Sequence, residues 1–208
     1  MTTFNEDFNI SWLEEMPMGI LPLSNNLFNS IVNNMKEFVK AGLESRDIGN
    51  GFFTLQGTQV AFYWHETNNI IDIIVELSIR PQSLVVNQIA KNPNSNVKVY
   101  ATDLYDIIVK SNNKSLVLMS DEYLTQQGLN VWVRLLNIGH TISVYDRDNT
   151  SKGLIPIKSQ RELEQFFKDK DPNYKRYQFV LSESNIKLVE TTSFFNTKRL
   201  RMLSGYPN

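Results

Sequence analysis

Three short groups of polar residues have the types that acid–base or metal chemistry uses. In Trp64-His65-Glu66 an imidazole stands beside a carboxylate, but strand neighbours point to opposite faces, which disfavours a catalytic pair. Ser120-Asp121 follows an apolar run, where α/β folds place ligand contacts and where turns use the same residues, so both interpretations stay open. Asp146-Arg147-Asp148-Asn149 resembles part of a calcium loop but lacks its glycine and terminal glutamate, and we reject that interpretation.

The composition excludes several kinds of site and partner. The chain has 0 cysteines and 2 histidines, so disulfides, thiolate catalysis and cysteine-based zinc sites are excluded and a metal site is not expected. The net charge of -1 favours neither nucleic acid nor an anionic membrane. No apolar run is long enough to cross a bilayer, and the polar start of the chain is not a signal peptide. We therefore expect a cytoplasmic protein without a membrane partner.

The hydrophobic pattern predicts one domain, 24–184, between an N-terminal arm, 1–23, and an extended C-terminal tail, 185–208. Apolar residues at helical spacing from Leu27 to Val39 predict a first helix that Ser24 caps and Gly42 ends. Strand-like segments follow, the first two joined as a hairpin through Gln56-Gly57-Thr58: Phe52–Leu55, Val60–Trp64, Ile70–Leu77 and Leu84–Ala90.

Helices and strands then alternate from Ala101 to Tyr145. A helix with apolar residues at Ala101, Leu104, Tyr105 and Ile108 precedes a buried strand at 115–119. A second helix, which Thr125 caps and Gly139 ends, precedes a strand at 141–145. This alternation predicts a mixed sheet with some parallel pairing, and a capping box at Ser159–Glu162 and a strand at 177–181 complete the α/β domain.

This order of elements resembles the GNAT acetyltransferase superfamily, in which an antiparallel meander is followed by β-α-β-α-β. The resemblance runs from Ser24 to Leu181 and is strongest between Leu84 and Tyr145. The pattern Ser120-Asp121…Leu124…Gly128…Trp132…Leu135…Gly139, ending in Val144-Tyr145-Asp146, also resembles uncharacterised GNAT-like proteins of large tailed phages.

The resemblance implies an acetyl-CoA site where two neighbouring central strands diverge, beside Leu84–Ala90. In the family, an Arg/Gln-x-x-Gly-x-Gly/Ala turn brings backbone N–H groups and a helix N-terminus to the pyrophosphate. The corresponding stretch here, Lys91–Ala101, contains no glycine, so it is either a substitute cradle of asparagines and lysines or an ordinary polar loop. The positions expected at the cofactor are Val86, Gln88, Lys91, Asn96, Lys98, Ser120 and Asp121.

The resemblance also implies positions for an acid and a base. The family often protonates the departing thiolate with a tyrosine shortly before the glycine that ends the second helix, where this chain has Leu135. Tyr105, Tyr123 or Tyr145 would then have to reach the thiolate from another part of the chain, and we take Tyr145 as the candidate acid. A strand glutamate commonly acts as base, which makes Glu76 the candidate; a solvent-facing residue or an ion-pair partner is its alternative.

Two functions from different classes follow. The first is a catalytically silent GNAT-like protein, structural or host-interacting in a phage, that binds a protein partner or itself through the tail containing Phe194-Phe195 and Lys198–Arg201. The second is an active N-acetyltransferase acting on a protein, nucleobase or small-molecule amine. Acetyl-CoA is a cofactor only in the second case. The expected location is the bacterial host cytoplasm or the virion, and a nucleic-acid role is disfavoured by the near-neutral charge.

Overall fold

The computed structural model describes residues 23–112, 116–168 and 176–182. Most of the predicted N-terminal arm and the whole C-terminal tail lie outside these residues. The helices are α1 (Leu23–Lys40), α2 (Ala101–Ser111), α3 (Gln126–Asn137) and α4 (Gln160–Lys168), with a short 3-10 turn at Thr150–Lys152. The strands are β1 (Arg46–Gly49), β2 (Phe52–Gln56), β3 (Val60–Thr67), β4 (Ile70–Arg80), β5 (Ser83–Lys91), β6 (Val117–Met119), β7 (Thr141–Asp146), β8 (Leu154–Pro156) and β9 (Tyr177–Ser182).

All nine strands belong to one mixed sheet in the order β1-β2-β3-β4-β5-β6-β9-β7-β8. Strands β1 to β5 form an antiparallel meander, and β5 pairs with β6 in parallel through the crossover helix α2. Strand β9 returns late in the chain and inserts between β6 and β7, antiparallel to both. The fold is therefore the mixed α/β, GNAT-like arrangement that the sequence predicts, with a meander followed by β-α-β-α-β.

Helices cover the sheet on both faces. On one face, α1 buries Phe28, Ile31 and Met35, one turn apart, against the sheet residues of the same cluster, which include Phe62 and Ile74. On the other face, α2, α3 and α4 pack over the centre of the sheet and form the larger core. Burial of these apolar side chains is the main force that holds the helices in place. None of the described helices is long and apolar enough to cross a membrane.

Local signals account for most of the element boundaries. Gly42 ends α1 with a φ of +93°, and Thr125 caps α3 by accepting a hydrogen bond from the Gly128 N–H. Asn68 and Asn69 both have positive φ in the tight turn between β3 and β4, a conformation that asparagine tolerates. Ser24 lies inside α1, which begins at Leu23, so the prediction of Ser24 as the N-cap is wrong.

The structure also corrects the strand assignment. The meander has a short edge strand, β1, that the sequence analysis missed, and a second missed strand, β8, pairs with β7 at the other edge. The third predicted strand extends to Arg80 rather than Leu77, so Glu76 lies within β4 and not at its end. The predicted fourth strand is β5, the fifth in the chain.

Candidate functional site

The central feature of the sheet is the divergence of β5 from β6. They pair only at Ser83–Val85 and Val117–Met119, and β5 then continues to Lys91 with no described strand on that side. On its other edge β6 pairs with β9, and this contact continues past Met119, since the Ser120 N–H donates to the Phe179 carbonyl. We call the space between Val86–Lys91 and the chain after Met119 the wedge. The predicted divergence of two neighbouring central strands is thus present.

In the loop between β5 and α2, residues 92–100, three backbone N–H groups donate hydrogen bonds to acceptors in the loop itself and in α2. The Val97 N–H donates to Ser95 Oγ at 3.2 Å, and the Val99 N–H donates to the Val97 carbonyl at 3.0 Å. The Tyr100 N–H donates to Asp103 Oδ2 at 2.8 Å, which places a carboxylate at the N-terminus of α2. Each of these three donors therefore already has an acceptor within the chain.

The same loop is fixed to the sheet by Asp72 of β4, whose side chain is 2% exposed. Its carboxylate accepts hydrogen bonds from Ser95 Oγ, from Thr67 Oγ1 at 2.8 Å and from His65 Nδ1 at 2.9 Å. Burial alone would raise the pKa of Asp72, but the hydrogen bonds from Ser95, Thr67 and His65 outweigh it and lower that pKa. His65 therefore pairs with Asp72 across the strands, and Glu66 instead accepts from the Trp64 indole N–H.

Cations surround the ring of Tyr100, beside the N-terminus of α2. Lys91 Nζ lies 5.6 Å from the ring centroid and Arg134 Cζ of α3 lies 4.5 Å from it. Lys91 Nζ also donates to the Val97 carbonyl at 2.9 Å, so this lysine connects the end of β5 to the middle of the loop. Lys98 and Asn96 are exposed. Of the predicted cofactor positions, Asn96 and Lys98 thus lie in this loop, and Lys91, the last residue of β5, contacts it.

Val86 and Gln88, the predicted cofactor positions on β5, lie on opposite faces of the sheet. Val86 is 6% exposed and belongs to the core under α2 and α3, while Gln88 is exposed and pairs with Glu76 of β4. A bulge at Asn87 separates them, since Glu76 pairs with Gln88 and Leu77 pairs with Val86. A ligand lying along β5 would meet the two side chains from different sides.

Ser120 is bound to β9 through its backbone and its side chain. Its hydroxyl accepts from the Phe179 N–H at 2.9 Å, and its carbonyl accepts from Gln178 Nε2 at 2.7 Å. The side chain is buried, and these contacts hold β9 against β6. Asp121, the next residue, lies close enough to Tyr105 of α2 that its charge, added to burial, raises the pKa of that hydroxyl.

The candidate base and acid lie far apart on one face of the sheet. Glu76 accepts hydrogen bonds from Asn34 Nδ2 of α1 at 2.9 Å and from Asn87 Nδ2 at 3.4 Å. Tyr145 of β7 is 6% exposed; its burial raises its pKa, the charge of Arg147 opposes that rise and Asp146 adds to it. Strands β5, β6 and β9 separate β4 from β7, and four strand spacings correspond to roughly 19 Å. One small reacting group cannot contact both side chains.

The other positions considered for the acid are Leu135, Tyr123 and Tyr105. Leu135 is fully buried in the core, as a leucine on the inner face of the helix should be. Tyr123 is 71% exposed, and Tyr105 packs against Trp132 with ring centroids 5.9 Å apart.

Asp146 belongs to the sequence that resembles part of a calcium loop, and its carboxylate forms an ion pair with Arg176. Arg176 reaches it with two hydrogen bonds, at 2.7 and 2.6 Å, and the backbone N–H groups of Asp148 and Asn149 add two more. The hydrogen bonds from Arg176 lower the pKa of Asp146, against the effect of burial. Within the described ranges, no group of three or more His, Asp or Glu side chains is placed to hold a metal ion.

Sequence reasoning missed three residues that define this site: Asp72, Ser95 and Asp103. Asp72 stands alone in the run Ile70-Ile71-Asp72-Ile73-Ile74, and a single carboxylate in an apolar strand is a recognisable signal for a buried polar contact. Asp103 is in the first turn of a predicted helix, where carboxylates often bind the free N–H groups. Ser95 carries no such signal, since its partner is distant in sequence.

Comparison with known proteins adds little to this geometry. No protein-family model matches the chain, and no curated protein matches it. The crystal structure of the ribosomal-protein-S18-alanine N-acetyltransferase from Escherichia coli is similar with a TM-score of 0.34 and 7% identity, over 62% of this chain and 70% of that chain. A similarity of this size carries no argument about activity, so the functional argument depends on the residues described above.

Proposed function

We propose that this chain is a non-catalytic, protein-binding factor built on a GNAT-like fold, and that it does not bind acetyl-CoA. The observation that carries the proposal is the state of the loop between β5 and α2. The N–H groups of Val97, Val99 and Tyr100 donate to acceptors of the chain itself. A pyrophosphate would have to displace all three acceptors, one of which is the negatively charged Asp103 carboxylate.

The side chains of the loop do not fit the cofactor either. A cradle needs the backbone to approach the phosphates closely, which glycine permits best. Val99 is only 4% exposed, and its side chain belongs to the main core. Asp72 holds the loop through Ser95 and Lys91 holds it through the Val97 carbonyl, so opening the loop would cost several hydrogen bonds. The residues present therefore do not fit acetyl-CoA, and no step through that cofactor is derived.

The arrangement of acid and base groups supports the same proposal. Leu135 is where the family often has its proton donor, and leucine cannot transfer a proton. Glu76 and Tyr145 are separated by three strands. General acid–base catalysis needs both groups within hydrogen-bonding reach of the reacting atoms.

An active acetyl-CoA-dependent N-acetyltransferase is the second candidate, and two observations favour it. Strands β5 and β6 pair only as far as Val85 and Met119, and Lys91 and Arg134 bring positive charge to the N-terminus of α2. Under this alternative Asp103 and Ser95 would have to release their backbone donors when the cofactor arrives.

Titration calorimetry with acetyl-CoA separates the two candidates. We expect no measurable heat of binding at cofactor concentrations on the order of 1 mM, which corresponds to less than about 4 kcal/mol of binding free energy. The Asp103→Asn variant removes the carboxylate charge and serves as a comparison, because a cradle blocked mainly by that charge would gain affinity in it. Micromolar binding to the unchanged protein would contradict the proposal and establish the second candidate.

The protein-binding role extends to the tail, 185–208, which lies outside the described residues. Its aromatic and basic residues, and the resemblance to tailed-phage proteins, support a structural or host-interaction role in a virion or an infected bacterial cell. Deletion of residues 190–208 should weaken self-association or capture of a partner, measured by light scattering and by pull-down. If the shortened protein keeps the same oligomeric state and the same partners, the tail is not the binding element.

A further inference from the structure

The inner edge of β5 in the wedge is the strongest unexplained feature of the described residues. On its other side β5 is paired along its whole length with β4, from Ser83 to Lys91. On the wedge side the pairing stops at Val85, and Val86–Lys91 meet no described strand. Backbone N–H and C=O groups at such an edge are a template for another extended chain.

Strand β6 does not continue along this edge. Its pairing with β5 ends at Met119, while on its opposite edge it pairs with β9, where the Ser120 N–H donates to the Phe179 carbonyl and the Ser120 hydroxyl accepts from the Phe179 N–H. Among the described residues, the edge of β5 from Val86 to Lys91 therefore has no strand partner.

The charges beside the wedge indicate the chemistry of an occupant. Lys91 and Arg134 lie against the Tyr100 ring, and Lys98 is exposed on the adjacent loop. Asp103, the carboxylate at this end of α2, accepts from the Tyr100 N–H. Asp121, on the chain that forms the other side of the wedge, is a second carboxylate near α2. Among these described residues, three cations thus stand against two carboxylates, and an occupant with acidic side chains complements this excess of positive charge.

We propose that the wedge binds an extended, acidic segment of a partner protein, which pairs as a strand with Val86–Lys91 of β5. This inference rests on the proposed function and names its ligand. Six paired residues would extend over about 20 Å. Main-chain hydrogen bonds would supply the affinity, while glutamate or aspartate side chains on the α2 face would meet Lys91, Arg134 and Lys98. A phosphate group would gain little from the N–H groups of Val97, Val99 and Tyr100, because these donors are already engaged.

The test uses the full chain and three blocked octapeptides of alternating valine and threonine. In the first, two threonines are replaced by glutamate; in the second, the same two are replaced by lysine; the third is the glutamate peptide with alternate backbone nitrogens methylated. Fluorescence anisotropy should show that the glutamate peptide binds about fivefold more tightly than the lysine peptide. Methylation removes the main-chain donors and should weaken binding at least about tenfold.

The exposed Lys98 offers a matched variant, since its replacement disturbs no core packing. Lys98→Glu should lose the preference for the glutamate peptide while leaving the effect of methylation intact. Equal binding of all three peptides, or no binding of any at about 1 mM, would overturn the inference. If neither the peptides nor acetyl-CoA bind, the inference about the wedge is overturned but the proposed non-catalytic function remains. Binding of acetyl-CoA would overturn the proposed function.

Discussion

Asp72→Ala is expected to lower the free energy of unfolding by about 3 kcal/mol, measured by urea denaturation. The carboxylate is buried and accepts hydrogen bonds from His65, Thr67 and Ser95. Alanine leaves all three donors without their acceptor and opens a space between β3, β4 and the loop. Glu44→Ala is the control, because Glu44 is exposed and its loss should cost no more than about 0.5 kcal/mol.

The effect of Asp72→Ala should also depend on pH. The pKa of Asp72 is lowered in the folded protein, so its contribution to stability is present above the ordinary carboxyl pKa and is lost as the pH falls through the lowered value. The difference in unfolding free energy between the two proteins should therefore be constant at neutral pH and should shrink in strong acid. A variant as stable as the unchanged protein at pH 7 would show that Asp72 does not fix the loop.

Trp132→Ala is expected to cost about 3–5 kcal/mol of unfolding free energy, the range for removing a fully buried large aromatic side chain. Trp132 of α3 is 1% exposed and lies between Tyr105 of α2 and Phe179 of β9, with ring centroids 5.9 Å away in each case. It therefore joins both helices to the inserted strand. Urea denaturation gives the free energy, and near-ultraviolet circular dichroism reports the loss of fixed aromatic packing.

Ile138→Ala is the control for Trp132→Ala. Ile138 stands at the end of the same helix but is 58% exposed, so its truncation should change stability by less than about 0.5 kcal/mol. A loss below about 1 kcal/mol in Trp132→Ala would mean that α3 does not pack against β9 as described. The insertion of β9 between β6 and β7 would then be in question.

Local patterns in the sequence were sufficient to predict the centre of the fold. The apolar spacing of α2, the cap and glycine that bound α3, and the short buried run of β6 each depend on neighbouring residues. Strand β1 is short and polar, and β8 has only three residues and ends in a proline, so neither stands out in the sequence. Strand β9 pairs with residues far away in the chain. Its insertion between β6 and β7 follows from long-range packing that no local pattern displays.

The candidate site was predictable to a similar extent. The loop without glycine and the leucine at position 135 are visible in the sequence, and both remain arguments against catalysis. The contact between Ser95 and Asp72 joins residues 23 positions apart, so it emerges only when β4 and the loop meet in the folded sheet. Glu76 and Tyr145 were chosen by residue type, and the strand order that separates them could not be deduced from their spacing.

The most direct test of this account is hydrogen exchange at the backbone amides of Val97, Val99 and Tyr100, followed by NMR with and without acetyl-CoA. Their acceptors are Ser95 Oγ, the Val97 carbonyl and Asp103 Oδ2. The account predicts that all three amides exchange slowly in the protein alone and that acetyl-CoA at about 1 mM changes none of their rates. Rapid exchange at all three, slowed when acetyl-CoA is added, would contradict it.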